Sequence, residues 1–133
     1  MTIHLTDEQL NTAVCEWLGW KFEEAPVRDP SPSCWRAPDG YYPVFTEDLP
    51  NYTSDDSPRR LINEMEASLA TDDKTETEDR MGRYQCNLYR VLGISATSGG
   101  FSILPSDEQK LISAPARYRV IAFLQTVKPE VFT

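Results

Sequence analysis

The sequence predicts an α+β fold, a layered α/β/α sandwich in which a small antiparallel sheet of about four short strands is covered by about four helices. Two observations predict it. Four segments repeat apolar residues at helical spacing between start and stop signals. Two pairs of short apolar runs lie between those segments. The length of 133 residues suits one domain that spans residues 1–133 and buries a substantial core.

The first helix has both of its ends encoded locally. Thr6 is a suitable N-cap, and Gln9 three residues later can bond back to it, which predicts a capping box. Gly19 can take the left-handed conformation that ends a helix, so that Trp20 folds back onto the last turn. The apolar residues at helical spacing are Leu10, Ala13, Val14, Trp17 and Leu18. We therefore expect a helix with one buried face between these two signals.

A pair of strands is predicted directly after the first helix. Residues 21–24 alternate, which places Trp20 and Phe22 on the buried side and charged residues on the other. Residues 25–33 are rich in proline and are expected to form an exposed loop. Residues 34–37 resume an extended pattern and end at a Pro-Asp-Gly turn. The two runs are expected to pair as a hairpin with a long loop.

Two helices are predicted in the middle of the chain. Ser57 and Pro58 form a helix-start pair, and the second helix should run to about residue 69. Its inward residues are Leu61, Ile62, Met65 and Leu69. Thr75 and Glu78 offer a capping box for the third helix, which should end at Gly93. The inward residues of the third helix are Met81, Tyr84, Leu88, Val91 and Leu92.

The stretch before the last helix allows two interpretations. Residues 101–104 and 110–113 are predicted as two strands joined by a turn. The alternative is a short helix over residues 107–112 with Ser106 as its N-cap, because short apolar runs fit either period. Both interpretations are compatible with the local sequence.

The last helix is predicted from its flanking prolines. It should open after Pro115 and end at Lys128 and Pro129. Its inward residues are Ala116, Val120, Phe123, Leu124 and Val127. This helix completes the predicted order of helix, strand, strand, helix, helix, strand, strand, helix.

Composition disfavours several classes of function. The net charge of −8 and the pI near 4.6 disfavour binding to nucleic acid or to an anionic membrane surface. No apolar run approaches the roughly 20 residues that cross a bilayer, and the N-terminus lacks a signal-peptide pattern, so a cytoplasmic protein is expected. The three cysteines are widely spaced and are expected to stay reduced. With a single histidine they predict neither a metal site nor a cofactor.

No group of residues predicts catalysis. Adjacent carboxylates occur at residues 23–24, 55–56, 72–73 and 78–79. Acid–base catalysis needs two carboxyl groups in different environments within a cleft, whereas these pairs lie in polar loops, strand edges or helix starts. His4 lies near the N-terminus and no nucleophile motif accompanies it. We therefore predict a protein without enzymatic activity.

Four segments occur in an order that resembles one family. They are the Leu-Gly-Trp that closes the first helix, then residues 35–40, residues 49–55 and residues 113–124. They read Trp-Arg-Ala-Pro-Asp-Gly, Leu-Pro-Asn-Tyr-Thr-Ser-Asp, and Ser-Ala-Pro-Ala-Arg continuing to Ala-Phe-Leu. Together they resemble the phage α-β-α sandwich domain family, small proteins of tailed phages and prophages. The resemblance implies a layered α/β/α fold, a phage or prophage origin and the cytoplasm of a bacterial host, and it implies no catalytic residues.

An aromatic segment between residues 35 and 60 is the candidate binding surface. Aromatic and arginine side chains are enriched at protein interfaces, and this segment holds both kinds. The candidate binding residues are Trp35, Arg36, Tyr41, Tyr42, Tyr52 and Arg59. They predict a protein partner of unknown identity, and the competing interpretation is that the rings fill a small core beneath the loop. The pattern predicts no particular oligomeric state.

The alternative function is that of a small-ligand or nucleotide-binding domain. Its pocket would lie between the sheet and the helices and would be lined by Trp20, Trp35 and an arginine such as Arg117. A concave pocket with convergent polar groups would favour this alternative. An open aromatic surface would favour protein binding.

Overall fold

The computed structural model describes residues 4–23, 34–38, 43–94 and 105–132. Within these ranges the chain forms five α-helices, a three-stranded sheet and two short 3-10 helices. The helices are α1 (Asp7–Trp17), α2 (Arg59–Ala67), α3 (Lys74–Leu92), α4 (Pro105–Ile112) and α5 (Ala116–Val127). The strands are β1 (Lys21–Glu23), β2 (Cys34–Arg36) and β3 (Pro43–Val44), and the 3-10 helices are Thr46–Asp48 and Pro129–Phe132.

Helix α5 lies at the centre of the helical part. Residues on all of its sides are buried: Ala116, Arg119, Val120, Ile121, Ala122, Phe123, Leu124 and Thr126. A helix that is apolar nearly all round is stable only when other elements enclose it. It packs most extensively against α3 and also contacts α1 and α2. The single inward face predicted from the sequence therefore understates how deeply α5 is enclosed.

A row of aromatic rings joins α1, α3 and α5. The buried ring of Phe123 is edge-on to Trp17, with 6.5 Å between centroids, and to Tyr84, with 6.4 Å. Edge-to-face contacts stabilise a core beyond the area that they bury. Trp17 Nε1 donates to Ser68 Oγ at 3.3 Å, and the guanidinium of Arg80 lies 5.5 Å from the indole centroid. The row fixes the relative positions of the three helices.

Both ends of α1 and the end of α3 are confirmed. Thr6 Oγ1 accepts from the Gln9 N–H at 3.1 Å, and Gln9 Oε1 accepts from the Thr6 N–H at 2.9 Å, which is the predicted capping box. Gly19 has a φ of +104° and Gly93 has a φ of +73°. Glycine takes this left-handed conformation without a Cβ clash. The local signals at these three ends were therefore sufficient.

The start of α3 differs from the prediction. Asp73 is the N-cap, and its Oδ1 accepts from the N–H groups of Thr75 at 2.9 Å and Glu76 at 3.2 Å. The predicted capping box of Thr75 with Glu78 is wrong. A carboxylate forms charge-assisted bonds at the positive end of a helix, and the aspartate two residues earlier extends the helix toward the N-terminus.

The sheet has the order β1-β2-β3, and both pairs are antiparallel. The predicted hairpin is confirmed, since Phe22 in β1 stands opposite Trp35 in β2. The third strand was not predicted. Residues 43–44 pair with β2 inside a stretch whose prolines and acids indicated irregular structure.

The predicted four-stranded α/β/α sandwich is wrong. The described residues are mostly helical, and their sheet has three strands of two or three residues each. Residues 105–112 form α4, so the second strand of the late pair is replaced by the helix of the alternative interpretation. The first strand of that pair, residues 101–104, lies outside the described residues. The run was too short for its period to distinguish the two structures, and the helix begins at Pro105, a residue type that is favoured at the first helical position.

Candidate functional site

Trp35 lies at the centre of the sheet and is buried. Its cross-strand neighbours are Phe22 and Val44, and its ring centroid lies 5.2 Å from that of Phe22. Only 4% of its surface is exposed, and it belongs to the hydrophobic core. Its side chain therefore attaches the sheet to the helices and does not stand at the surface.

Tyr52 is buried as well, and α1 holds its backbone. Burial raises the pKa of its hydroxyl above the ordinary value. Asn11 Oδ1 accepts from the backbone N–H groups of Tyr52 at 2.8 Å and Thr53 at 3.2 Å. Asn11 Nδ2 also donates to Asn51 Oδ1 at 3.0 Å. One side chain of α1 thus fixes residues 51–53, and the ring of Tyr52 fills the core beneath them.

The two candidate arginines lie at the surface in different surroundings. Arg36 bonds Glu23 across the β1–β2 pair, with 2.7 Å from Nε to Oε1 and 3.2 Å from Nη2 to Oε2. These hydrogen bonds hold the pKa of Glu23 below its ordinary value. Arg59 is exposed at the start of α2 and forms no ion pair within the part of the chain that the structure describes. The remaining candidates, Tyr41 and Tyr42, lie outside the described residues.

Two other aromatic side chains of the sheet region are exposed. Phe22 has 48% and Phe45 has 47% of its surface open to solvent. The alternation of residues 21–24 predicted that Phe22 is buried. Because β1 is an edge strand, Trp35 contacts the ring of Phe22 from one side only, and about half of the ring stays exposed to solvent. Phe45 directly follows β3, the other edge strand. Position within a sheet depends on pairing between distant segments, so no local signal marked these two rings.

A small cavity lies between residues 54–62 and the start of α5. Its volume is about 110 Å3, and its polar lining is formed by Ser54, Asp55, Ser57, Arg59 and Arg119. Asp55 Oδ1 accepts from the Ala116 N–H at 2.7 Å. The residue that precedes α5, Pro115, provides no side-chain cap. Asp55 therefore caps α5 from a distant segment, at the end where a carboxylate is stabilised.

Arg119 is a buried arginine on α5, with 8% of its surface exposed. Its Nη2 donates to Leu111 O at 2.8 Å, and its Nη1 lies 3.5 Å from Glu66 Oε2. The hydroxyl of Tyr84 donates to the same glutamate oxygen at 2.7 Å, and burial raises the pKa of this hydroxyl. Among the described residues Arg119 Nε has no hydrogen-bond partner. The only sequence signal for this network was an arginine inside the apolar run of α5.

The thiols and one of the adjacent carboxylates that the sequence suggested have the following surroundings. Burial raises the pKa of Cys15 to about 12, so its thiol stays protonated at neutral pH. Cys34 and Cys86 are free thiols as well. Asp79 pairs with Arg83 at 3.0 Å on the surface of α3. Across the described ranges, no three histidine, cysteine or acidic residues are grouped so that they could hold a metal ion.

Comparisons with known proteins assign no family to this chain. Searches of protein-family models, curated proteins and solved structures give no match for this chain. The resemblance to the phage α-β-α sandwich domain family therefore stays a prediction. Among the helices that the structure describes, none is both long enough and apolar enough to cross a membrane.

Proposed function

We propose that this protein is a non-enzymatic binding module that docks a protein partner on its sheet. The observation that carries the proposal is the exposure of Phe22 (48%) and Phe45 (47%) at the two edges of the sheet. We call Phe22, Phe45 and the edge strands β1 and β3 the sheet surface. Large aromatic side chains are frequent anchors of protein interfaces, whereas Trp35 is buried and contacts Phe22 from the neighbouring strand.

Burial of the Phe22 and Phe45 rings by a partner contributes to the free energy of binding. An enclosed phenylalanine buries roughly 200 Å2, so a half-exposed ring leaves about 100 Å2 to cover. At about 25 cal/mol per Å2, each ring contributes roughly 2.5 kcal/mol on binding. The exposed Glu23–Arg36 pair lies on the face of the sheet opposite to Phe22 and Trp35, because successive side chains of a strand alternate between faces.

The charge of the chain supports a protein partner over a nucleic acid. With a net charge of −8, the chain is repelled by phosphate backbones and by anionic membrane surfaces. A partner whose interface has basic residues around an apolar centre would complement both the exposed rings and the negative net charge of the chain.

The origin and location form a separate part of the proposal. The order of the four sequence segments supports a phage or prophage protein that acts in the cytoplasm of a bacterial host. The helical architecture does not add to that support, since it differs from the layered fold that the resemblance implied. Binding at the sheet surface does not depend on this origin.

The small-ligand alternative has less support at the pocket where it was expected. Trp35 is buried in the core. Arg117 donates to Leu5 O at 2.8 Å and forms an ion pair with Asp7, so its guanidinium is engaged with the start of α1. These contacts leave the sheet surface as the better supported site.

The test compares partner recovery by matched variants. Tagged wild-type protein and the double variant Phe22→Thr, Phe45→Thr are used to capture proteins from bacterial lysate, and the captured proteins are quantified by mass spectrometry. The control is Ile112→Thr, which removes an apolar side chain that is 70% exposed on α4, away from the sheet. Thermal unfolding of each variant confirms that all of them fold.

We expect at least one protein to be recovered by the wild type and by the control but lost from the double variant. Loss of roughly 2.5 kcal/mol per ring corresponds to an affinity decrease of more than tenfold for each ring. Equal recovery of every protein by the folded double variant would contradict the proposal.

A further inference from the structure

The cavity beside the start of α5 has the composition of a small-anion site. We propose that it binds a phosphate group, either as inorganic phosphate or as the phosphate of a small phosphomonoester. The cavity volume of about 110 Å3 leaves room for the phosphate group and little beyond it. This site is separate from the sheet surface, and the proposal does not rest on protein binding there.

Donors converge on the cavity from three segments of the chain. Ser54 and Ser57 contribute hydroxyl groups from the segment that precedes α2, and Arg59 contributes an exposed guanidinium from the first turn of α2. Arg59 forms no ion pair with any other residue in the described ranges, so its charge is available to a ligand. Planar guanidinium groups match the geometry of phosphate oxygens with two parallel bonds.

Arg119 supplies the observation that points to a ligand. It lines the cavity, more than nine-tenths of its surface is buried, and its Nε lacks a hydrogen-bond partner among the described residues. A buried donor without a partner costs free energy unless an acceptor approaches it. Nε is not in contact with solvent, so binding requires the guanidinium to move slightly toward the cavity. A phosphate oxygen is a strong acceptor for this donor.

Asp55 explains why the anion should be phosphate. Its carboxylate also lines the cavity, and Oδ1 is occupied by the Ala116 N–H. A ligand at this site therefore lies beside Oδ2 of Asp55, and it must donate a hydrogen bond to this oxygen. A singly protonated phosphate has a P–OH group that donates, whereas sulfate and carboxylate ions have only acceptors at neutral pH. The site thus selects an anion that carries its own proton.

The experiment follows the Arg119 side chain directly. Isotope-labelled protein is titrated at about pH 6, where roughly half of a phosphomonoester keeps its second proton. The probes are sodium phosphate, glycerol phosphate and sodium sulfate, each at constant ionic strength. The NMR signal of the Arg119 Nε–H group is expected to move to a plateau with phosphate and to move less at equal concentrations of sulfate. A stronger response to glycerol phosphate than to inorganic phosphate assigns the ligand as a phosphomonoester, and the reverse assigns free phosphate.

A matched pair of variants on α2 provides the control. Arg59→Gln removes the cavity arginine, and Arg60→Gln removes the neighbouring arginine, which lies 3.9 Å from Glu64 and does not line the cavity. We expect Arg59→Gln to weaken phosphate binding at least about tenfold, since it removes charge-assisted bonds. Arg60→Gln should bind as the wild type does. An Arg119 signal that does not respond to phosphate, or equal affinity in both variants, would overturn the proposal.

A second variant tests the selection by Asp55. In Asp55→Asn the amide oxygen can still accept from the Ala116 N–H, so α5 keeps its cap. The amide nitrogen now donates into the cavity, so sulfate should bind as tightly as phosphate. An unchanged preference for phosphate in this variant would contradict the role given to Asp55.

Discussion

The helical part and the sheet region of this protein are held together in different ways. Helix α5 is buried on nearly all sides, and Phe123 joins it to α1 and α3 through edge-to-face ring contacts. The sheet has strands of two or three residues, and its edge rings Phe22 and Phe45 are half exposed. We therefore expect stability to reside mainly in the helices, whereas the sheet keeps two half-exposed aromatic rings.

The connection between the two regions depends on a few polar contacts. Asn11 on α1 accepts from the backbone N–H groups of Tyr52 and Thr53, which follow the sheet, and Asp55 caps α5. These bonds join segments that are distant in sequence. They attach the segment that follows the short sheet to the helices α1 and α5.

The largest expected effect comes from the centre of the helical part. Phe123→Ala leaves a cavity beside Trp17 and Tyr84, and we expect it to lower the free energy of unfolding by about 3–5 kcal/mol. The comparison is Phe45→Ala, which removes an exposed ring and should cost less than about 1 kcal/mol. Urea unfolding of both variants measures the difference. Equal losses would mean that the two regions contribute alike to stability.

The second expected effect is a loss of stability at alkaline pH. The Cys15 thiol ionises near pH 9 when exposed, but burial raises its pKa to about 12. The folded state therefore keeps a proton that the unfolded state loses, so its stabilising contribution is complete below about pH 9 and falls as the pH rises toward 12. The slope from this group approaches about 1.4 kcal/mol per pH unit. Cys15→Ala should reduce the dependence of the unfolding free energy on pH, whereas Cys86→Ala, at an exposed thiol, should leave this dependence unchanged. The same dependence in the wild type and in both variants would refute the assignment to Cys15.

A smaller effect is expected where the two regions are connected. Asn11→Ala leaves the backbone N–H of Tyr52 without its acceptor and the N–H of Thr53 with only Asn51 Oδ1, and we expect a loss of about 2 kcal/mol in the free energy of unfolding. Asn63→Ala is the control, because Asn63 is exposed on α2. If both changes cost the same, the bonds from Asn11 do not hold residues 51–53.

The smallest effect is expected at the surface of the sheet. Glu23→Gln removes the charge that pairs with Arg36, but both side chains are about half exposed, at 46% and 44%. Exposed ion pairs contribute little because solvent screens them. We expect no measurable change in the midpoint of thermal unfolding at neutral pH. A clear decrease would show that the sheet depends on this pair.

The sequence predicted those features that depend on neighbouring residues. The capping box of Thr6 with Gln9 and the terminal glycines Gly19 and Gly93 acted as predicted, because helix ends are determined within a few residues. The β1–β2 pairing was also predicted, from two alternating runs separated by a proline-rich loop. The helical character of residues 105–112 remained ambiguous, because a short apolar run has too few turns to reveal its period.

The features that the sequence did not predict depend on contacts between distant segments. Burial of Arg119 follows from its partners Glu66 and Leu111, which its own helix does not contain. The exposure of Phe22 follows from the edge position of β1. Aromatic composition predicted a binding segment that included Trp35, but burial of Trp35 could be known only from the assembled sheet.

We expect a partner to bind at the sheet surface. Amide hydrogen exchange of the protein, measured alone and with a partner recovered in the capture experiment, tests it most directly. We expect slower exchange in the edge strands and at residues 45–48 when the partner is present, and unchanged exchange in α4. Protection that appears in α4 or along the exposed face of α3, with none in the sheet, would contradict it.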